Sequence, residues 1–456
     1  MRLLIDTTAI NLHGRPLTGI PRVVRNYLVL GYGFGRARGV EVLPVAISDG
    51  DLVLQRRSAN FPHPDGLPRS MSRSRPWPMV LLALHYVALG IAYALFAVPW
   101  FGLRLRDRLR GTPARPEALA QRLEGVFEVL ERPASRFWQR YMQTVRIEPG
   151  PEDILFCPAY WHDVSPQTYA RFRGRMKAIY TLVHDVIPVS HPELYRAPWR
   201  DQFRENARAA LRNFSGVVTI SGYTASMLRR LFPDEAAQAT ITVCHNGLDP
   251  LLDGAKGGNR LAALFPADNR PYLMVGTIEP KKGHRMVLAA IESLWAGGQS
   301  TRSLVILGRK GWMYDEIVRA IATTPHRDKV VWLRDTTDAE LAYAYEHAHA
   351  LIHASTVEGF GLPLVECAAH GTPVLANRSE IATEVLGDFG AYFDTTPDSL
   401  TEALLALEDP DEHARLVARI AGFSWPTWEQ VVPALFDALV VAAQGKAPLP
   451  PVIDPR

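Results

Sequence analysis

The stretch that decides the fold reads Leu351-Ile352-His353-Ala354-Ser355-Thr356-Val357-Glu358-Gly359-Phe360-Gly361-Leu362-Pro363-Leu364-Val365-Glu366-Cys367-Ala368-Ala369-His370-Gly371-Thr372-Pro373. An apolar run ends at Ser355 and Glu358 follows in a loop. Gly359 and Gly361 let the backbone pass close to a ligand, because glycine has no Cβ. Pro363 suits the first turn of a helix, where its missing N–H costs nothing. Glu366 falls about one turn further along. The pattern predicts a strand, a glycine loop and a helix N-terminus, with one carboxylate in the loop and one on the helix. Free amides and the helix dipole favour phosphate at such a terminus. A carboxylate just beyond is placed to accept from ribose hydroxyls. The plainer alternative is an ordinary strand-to-helix turn.

Working outward, apolar runs at 272–275, 304–307, 330–333, 350–353 and 374–376 alternate with helical segments. An earlier series comprises 2–5, 40–47, 154–157, 178–183, 217–220 and 241–244, with a helix over 22–30. Strands alternating with helices imply parallel sheets and right-handed crossovers. The expected fold class is α/β, with two doubly wound domains facing across a cleft. The domains are 1–260 and 261–424, parted by the Gly/Asp/Asn-rich stretch 249–260, and a closing helix and tail occupy 425–456. A chain of 456 residues, 47% hydrophobic and 21% charged, can fill two such cores. A net charge of +3 is too small to suggest nucleic acid. Cys157, Cys244 and Cys367 lie far apart in apolar runs without metal-ligand spacing, so buried thiols in a reducing cytoplasm are expected. The opening Met-Arg-Leu-Leu-Ile-Asp reads as a strand and not as a signal peptide. Gly31, Gly33 and Gly35 follow a helix instead of a strand, which excludes a dinucleotide fingerprint.

An insertion at about 57–150 breaks the first series. Residues 79–103 carry no formal charge and are interrupted by His85, Gly90 and Pro99. Arg69, Arg73 and Arg75 precede them; Arg104, Arg106, Arg108 and Arg110 follow. The length suits a membrane span, but one crossing would split the first sheet between two sides of the membrane. Arginines on both flanks also hold both ends on the same side. A shallow or re-entrant hairpin touching the membrane meets both constraints, with Trp77, Trp100 and Phe101 at the interface and the arginines on anionic headgroups. An apolar helix packed inside the insertion or a dimer is the alternative.

Three further segments sit where a doubly wound fold binds ligands, at the carboxyl ends of strands. Thr18-Gly19-Ile20-Pro21-Arg22-Val23-Val24-Arg25-Asn26 opens the first helix. His184-Asp185 follows the run 178–183, and a histidine there titrates near neutrality and points into the cleft. His162, His191 and His245 are weaker candidates for the same role. Glu279-Pro280-Lys281-Lys282-Gly283 comes after Gly276-Thr277, and lysines at a glycine turn can neutralise a diphosphate leaving group. Arg309, in Gly308-Arg309-Lys310-Gly311-Trp312, is a further cation.

The Glu-x7-Glu pattern set in Glu-Gly-Phe-Gly-Leu-Pro resembles the donor site of retaining GT-B glycosyltransferases of family 4. The Thr-Gly-Ile-x-Arg-Val-Val-Arg segment is similar to that of the family's mannosyltransferase B-like branch, which builds bacterial O-antigen and exopolysaccharide. The resemblance covers 1–50 and about 151–440, leaving the insertion outside. It implies catalytic roles for His184, Glu358 and Lys282. It implies donor binding by Gly276, Lys281, Lys282, Arg309, Gly359, Phe360, Gly361, Leu362 and Glu366, and an acceptor side at Gly19, Ile20, Arg22 and Asp185. His184 would face the donor sugar, the segment 331–341 would hold the nucleotide base, and the final helix would cross back to the first domain. Many members have an arginine where this chain has Thr277, which leaves Lys281 or Arg309 to partner Lys282. The implied activity moves a hexose, best matched by mannose from GDP-mannose, to a lipid-linked or growing polysaccharide at the cytoplasmic face of the inner membrane. No cofactor or metal is expected. A sugar-nucleotide epimerase or a phosphorylase of the same fold is the rival enzyme class, and a non-catalytic membrane scaffold the rival outside enzymes.

Overall fold

Each apolar run of the first series becomes a strand. β1 (Arg2–Asp6) leads to α1 (Ile20–Arg38) and β2 (Glu41–Ser48), and β3 (Asp51–Leu54) and β4 (Arg146–Ile147) come next in the chain. β5 (Asp153–Cys157), β6 (Ala178–Val183), β7 (Gly216–Thr219) and β8 (Ile241–Val243) complete the first half. In a computed structural model the described residues are 1–8, 19–48, 50–54, 146–159, 162, 164–249, 260–445, 449 and 452. They fall into two compact units, Met1–Leu43 with Pro149–Arg456, and Pro44–Glu148. In the larger unit β1, β5, β6, β7 and β8 lie side by side in that order and all parallel, Leu3 opposite Ile154 and Ile154 opposite Ala178. In the smaller unit β3 pairs antiparallel with the end of β2, Val45 opposite Leu54, and with β4, Leu52 opposite Ile147. The 79–103 stretch and nearly all of the 57–150 insertion lie outside the described residues. Among the described residues no helix is long and apolar enough to cross a membrane.

The second series forms β9 (Tyr272–Val275), β10 (Leu304–Leu307), β11 (Val330–Leu333), β12 (Ala350–His353), β13 (Val374–Asn377) and β14 (Ala391–Phe393). Their order is β11-β10-β9-β12-β13-β14, all parallel. Numbered within the sheet this is 3-2-1-4-5-6, so the winding direction reverses between β9 and β12. Ligands bind beyond the carboxyl ends at such a reversal, and the loops found there carry Gly276 and Glu358. The core beneath buries Tyr272, Ile291, Leu294, Leu304, Ile352, Leu400 and Leu404 completely or nearly so.

The chain then returns to the first sheet, as the sequence predicts. The closing helix spans Trp428–Ala443. Its Phe436 lies 5.5 Å from the Phe34 ring and 5.7 Å from that of Phe156. Burying a phenylalanine of this kind contributes about 1.5–3 kcal/mol. Here the sequence reading of Gly31, Gly33 and Gly35 needs correction: they do not follow a helix but lie inside α1. A Cβ on Gly31 would meet Phe436 at 3.0 Å and Ile5 at 3.1 Å, and one on Gly35 would meet the Val40 carbonyl at 2.5 Å. At Gly31 and Gly35 the helix accepts glycine so that the returning helix and the next turn can approach.

Candidate active site

Both sheets aim their carboxyl ends at one cleft of about 400 Å³. On the second-sheet side, the glycine loop ends at Gly361, whose φ of 88° caps the helix Leu362–Ala369 in a conformation that glycine adopts without strain. The helix amides therefore face the cleft beside Glu358. Lys282, on a short turn after β9, forms an ion pair with Glu358 Oε1 across 76 residues of sequence. Gly276 turns the chain beside that lysine with a φ of 143°, a conformation that side-chain-bearing residues rarely adopt. Burial would raise the Glu358 carboxyl; Lys282, then Lys281 and His353, outweigh it and hold the group at about 2. Glu358 is thus a buried anion, and Lys282 a cation poised at the cleft wall.

Lys281 and Arg309 divide differently from the sequence expectation. Lys281 is not among the residues lining the cleft, whereas Arg309 is. Burial lowers the Lys281 ammonium, but Glu358 and Asp185 more than offset this and its pKa is raised. Of these two cations, Arg309 is the one that lines the cleft together with Lys282.

The first-sheet side brings Gly19, Ile20, Arg22, His184 and Asp185 to the same cleft. His184 Nε2 lies 2.7 Å from the Pro158 carbonyl. A carbonyl only accepts, so the ring proton sits on Nε2 and Nδ1 is the acceptor. Burial lowers the His184 pKa, which keeps the ring neutral at pH 7. Asp185 accepts from the Ile187 amide at 3.0 Å.

Gly359 has a different reason from the one read in the sequence. A Cβ there would lie 2.0 Å from the His184 carbonyl and 3.0 Å from Asp185 Cβ. The residue is glycine so that the loop can seat against the opposite sheet's loop. Its own carbonyl accepts from Ser221 Oγ at 2.7 Å. Phe360 is buried, its ring 5.7 Å from Trp425 and 6.2 Å from His245. It lines the cleft but anchors the loop on the returning segment.

Glu366 is engaged more fully than the sequence suggests. Its Oε1 accepts from Arg22 Nη1 at 2.8 Å and its Oε2 from the Tyr345 hydroxyl at 2.9 Å. Arg22 also pairs with Asp249, which accepts from Asn26 Nδ2 at 3.0 Å. Arg334, Thr336, Thr337, Asp338 and Leu341 line the cleft where the base-binding segment was expected.

Four residues escaped the sequence reading. Asp249 lay in a stretch read as linker, and Tyr345 on a helix with no motif. Glu384 accepts from the amides of Gly222 at 2.6 Å and Tyr223 at 2.8 Å, and from His245 Nε2 at 2.8 Å, so it caps one sheet's helix from the other. His353 ends β12; burial pushes it down to about 4, and its Nε2 is buried with no hydrogen-bond partner among the described residues. Only spatial neighbours mark these four. Of the weaker histidine candidates, His245 is this latch, His191 Nδ1 bonds Ser190 Oγ at 2.8 Å, and His162 packs 5.0 Å from Phe203.

Comparison with known proteins bears on the fold that carries this cleft. Residues 259–421 match the family model for glycosyl transferases group 1. Over 281 residues the chain is 29% identical to the serotype-specific mannosyltransferase WbdA of Escherichia coli, covering 58% of this chain and 33% of that protein. It is 26% identical over 259 residues to the O-antigen chain mannosyltransferase B of Escherichia coli, covering 55% and 68%. The chain thus spans about a third of the length of WbdA. Among solved structures, a glycosyltransferase from Rickettsia africae ESF-5 has a TM-score of 0.58 over 98% of this chain and 99% of that one, at 13% identity. HepE of Anabaena, in complex with UDP and glucose, has a TM-score of 0.52 over 92% and 93%, at 14% identity. The protein therefore has the GT-B fold, and its residues 259–421 are similar to the glycosyl transferases group 1 family and to the matching parts of these mannosyltransferases.

Proposed function

We propose that this protein is a retaining hexosyltransferase, independent of metal, that moves mannose from GDP-mannose to a glycan acceptor in cell-surface polysaccharide synthesis. The observation that carries this reading is the buried Lys282–Glu358 pair beside the amides of the helix Leu362–Ala369, in a cleft between two sheets. In the transfer, the bond between the anomeric carbon and the phosphate oxygen breaks and its electron pair leaves with the diphosphate. Lys282, Arg309 and the helix amides take up that charge, which is the role a divalent cation plays elsewhere. The acceptor oxygen bonds to the anomeric carbon, and its proton leaves with the diphosphate. His184, neutral and held by Pro158, offers Nδ1 as acceptor for a donor-sugar hydroxyl. Glu366 anchors the ribose after exchanging its bond from Arg22.

The choice of mannose draws on the names of the similar mannosyltransferases, and that of guanine on the resemblance read in the sequence. The test is to incubate the full chain with GDP-mannose and α-mannobiose, in excess chelator, and follow GDP and the anomeric signal of the product. A new α-linkage formed without metal is expected. A β-linked product, or activity only with Mg²⁺, refutes the reading. The lipid-linked part of the acceptor, at a membrane face, draws on the apolar 79–103 and its seven flanking arginines. Each arginine near an anionic surface contributes about 1 kcal/mol. Flotation with anionic liposomes tests it, and a protein that stays at the bottom of the gradient with and without 72–110 sinks it.

A further inference from the structure

A second groove, of about 500 Å³, lies beside the cleft. Tyr195 is stacked between Trp199 and Trp312, with ring centroids 5.1 and 5.3 Å away and planes inclined by 25° and 23°. Met313 joins them, and Glu193 and Arg196 supply a charged rim. Tyr195 and Trp199 come from the segment after the first sheet's His184-Asp185. Trp312 comes from the second sheet's loop, three residues after Arg309. The aromatic file therefore bridges both walls.

The groove is built, yet part of its surface is left open. Trp199 is 37% exposed although Phe203 and His162 back it at 5.7 Å each. Met313 is 64% exposed and is the one non-glycine residue with positive φ, 51°, among the described residues. That conformation is unusual for a methionine and tends to be held at functional sites. Its loop is fixed from below: a Cβ on Gly311 would meet Glu279 Oε1 at 2.4 Å, and Ile278 bridges Lys310. The charges of the reaction centre also reach the groove. Burial first, then Asp185, Glu279 and Glu358 against an opposing Lys281, push the Tyr195 hydroxyl up to about 12.

Resting on the glycosyltransferase reading, we propose that this groove is the acceptor subsite, and that it seats the sugar rings of the glycan against Tyr195, Trp199 and Trp312. One face of a pyranose is largely C–H and its edge is hydroxyl; flat aromatic faces inside a rim of carboxylate and guanidinium complement both. A second copy of the chain is a poorer fit, since a stable interface needs about 800 Å² per partner and the groove is a few side chains wide.

The test titrates α-mannotriose into the full chain by calorimetry, without donor, for wild type and for Trp199→Ala, Trp312→Ala and Trp312→Phe. Melting curves are taken on each. Both alanine variants are expected to bind mannotriose at least tenfold more weakly, and Trp312→Phe to keep most of the affinity. In transfer assays the alanine variants raise the acceptor KM while GDP-mannose affinity stays put. Unchanged mannotriose binding in both alanine variants overturns the proposal, as does a Trp199-dependent dimer that binds no glycan. If isomaltotriose binds in place of mannotriose and Trp199→Ala abolishes it, the subsite stands and the mannose assignment fails. If glycan binding behaves as expected but no sugar nucleotide is turned over, the subsite stands and the transferase reading fails.

Discussion

Lys282→Met separates what the buried ion pair does for the fold from what it does for the reaction. The Lys282 and Glu358 side chains are only 15% and 12% exposed. In the folded protein Glu358 is held at about 2 against an ordinary value of 4.5. At 1.36 kcal/mol per pH unit, that difference corresponds to about 3 kcal/mol favouring the buried anion. Removing the ammonium leaves a buried carboxylate that Lys281 offsets only in part, and breaking such pairs costs about 3–5 kcal/mol. Lys282→Met is therefore expected to lower stability by about 3 kcal/mol and turnover about a hundredfold. Combining it with Glu358→Gln removes both charges at nearly constant volume. The double variant should regain at least half of the lost stability and none of the activity. The assay is urea denaturation of the two single variants and the double, with GDP release measured on the same samples. Strictly additive losses, or a Lys282→Met protein as stable as wild type, refute the reasoning. The pH dependence carries the same sign: a depressed carboxyl stabilises fully above 4.5, and that contribution is lost as pH falls from 4.5 towards 2.

Three further expectations follow from the geometry. Glu366→Ala should raise the donor KM with a smaller change in kcat, and Arg22→Gln, which leaves Glu366 free for ribose, should not; equal donor-KM increases in steady-state kinetics would remove the exchange between arginine and ribose. Gly359→Ala places a methyl 2.0 Å from the His184 carbonyl, so melting temperature and kcat should both fall, and an unchanged melting curve contradicts the packing. Burial holds His284 and His353 near 4 and His349 near 3, against an ordinary 6.5. The unfolded chain then binds more protons below pH 6.5, and stability should fall from there to about pH 4. Asp6, raised by burial to about 6, opposes part of this. His353→Gln should flatten the slope in calorimetric scans across that range, and an unaltered slope removes His353 from the account.

The fold was legible where the sequence carried one clear period. The strands at 272–275, 304–307, 330–333, 350–353 and 178–183 coincide with their apolar runs, because each is a parallel strand, most of them buried throughout and the edge strand 330–333 half-buried, closed off by glycine or polar residues. The helix expected over 22–30 in fact runs from Ile20 to Arg38. Glycine costs about 1 kcal/mol in a helix interior and reads locally as a stop; the contacts that reward Gly31 and Gly35 come from Phe436 and Val40, one of them four hundred residues away in sequence by order of magnitude. β14 is a three-residue strand without a run of its own, and it went unseen. At the site, Glu358, Lys282 and His184 were readable because each follows a strand near a glycine or proline signal, and Arg22 because it opens a helix just after Gly19 and Pro21. Their partners were not. Nothing local links Lys282 to Glu358 or Arg22 to Glu366, and nothing marks Glu384 as the cap of a helix in the other sheet.

Those partners explain why the glycine loop built on the second sheet depends on the first. Gly359 presses against the His184 carbonyl and accepts from Ser221, both on the first-sheet side. Glu384 ties Gly222, Tyr223 and His245 to the helix that follows β13, and Arg22 holds Glu366. Each contact joins an element of the second sheet to one of the first. Parting the sheets would release Glu366 from Arg22 and free the loop at Gly359 while leaving Lys282 and Glu358, both on the second-sheet side, still paired. The charge pair is thus held within one half, whereas the glycine loop and Glu366 take contacts from both. Under the proposed reaction, leaving-group charge would be met by groups held within one half, and the ribose by a carboxylate shared between both halves.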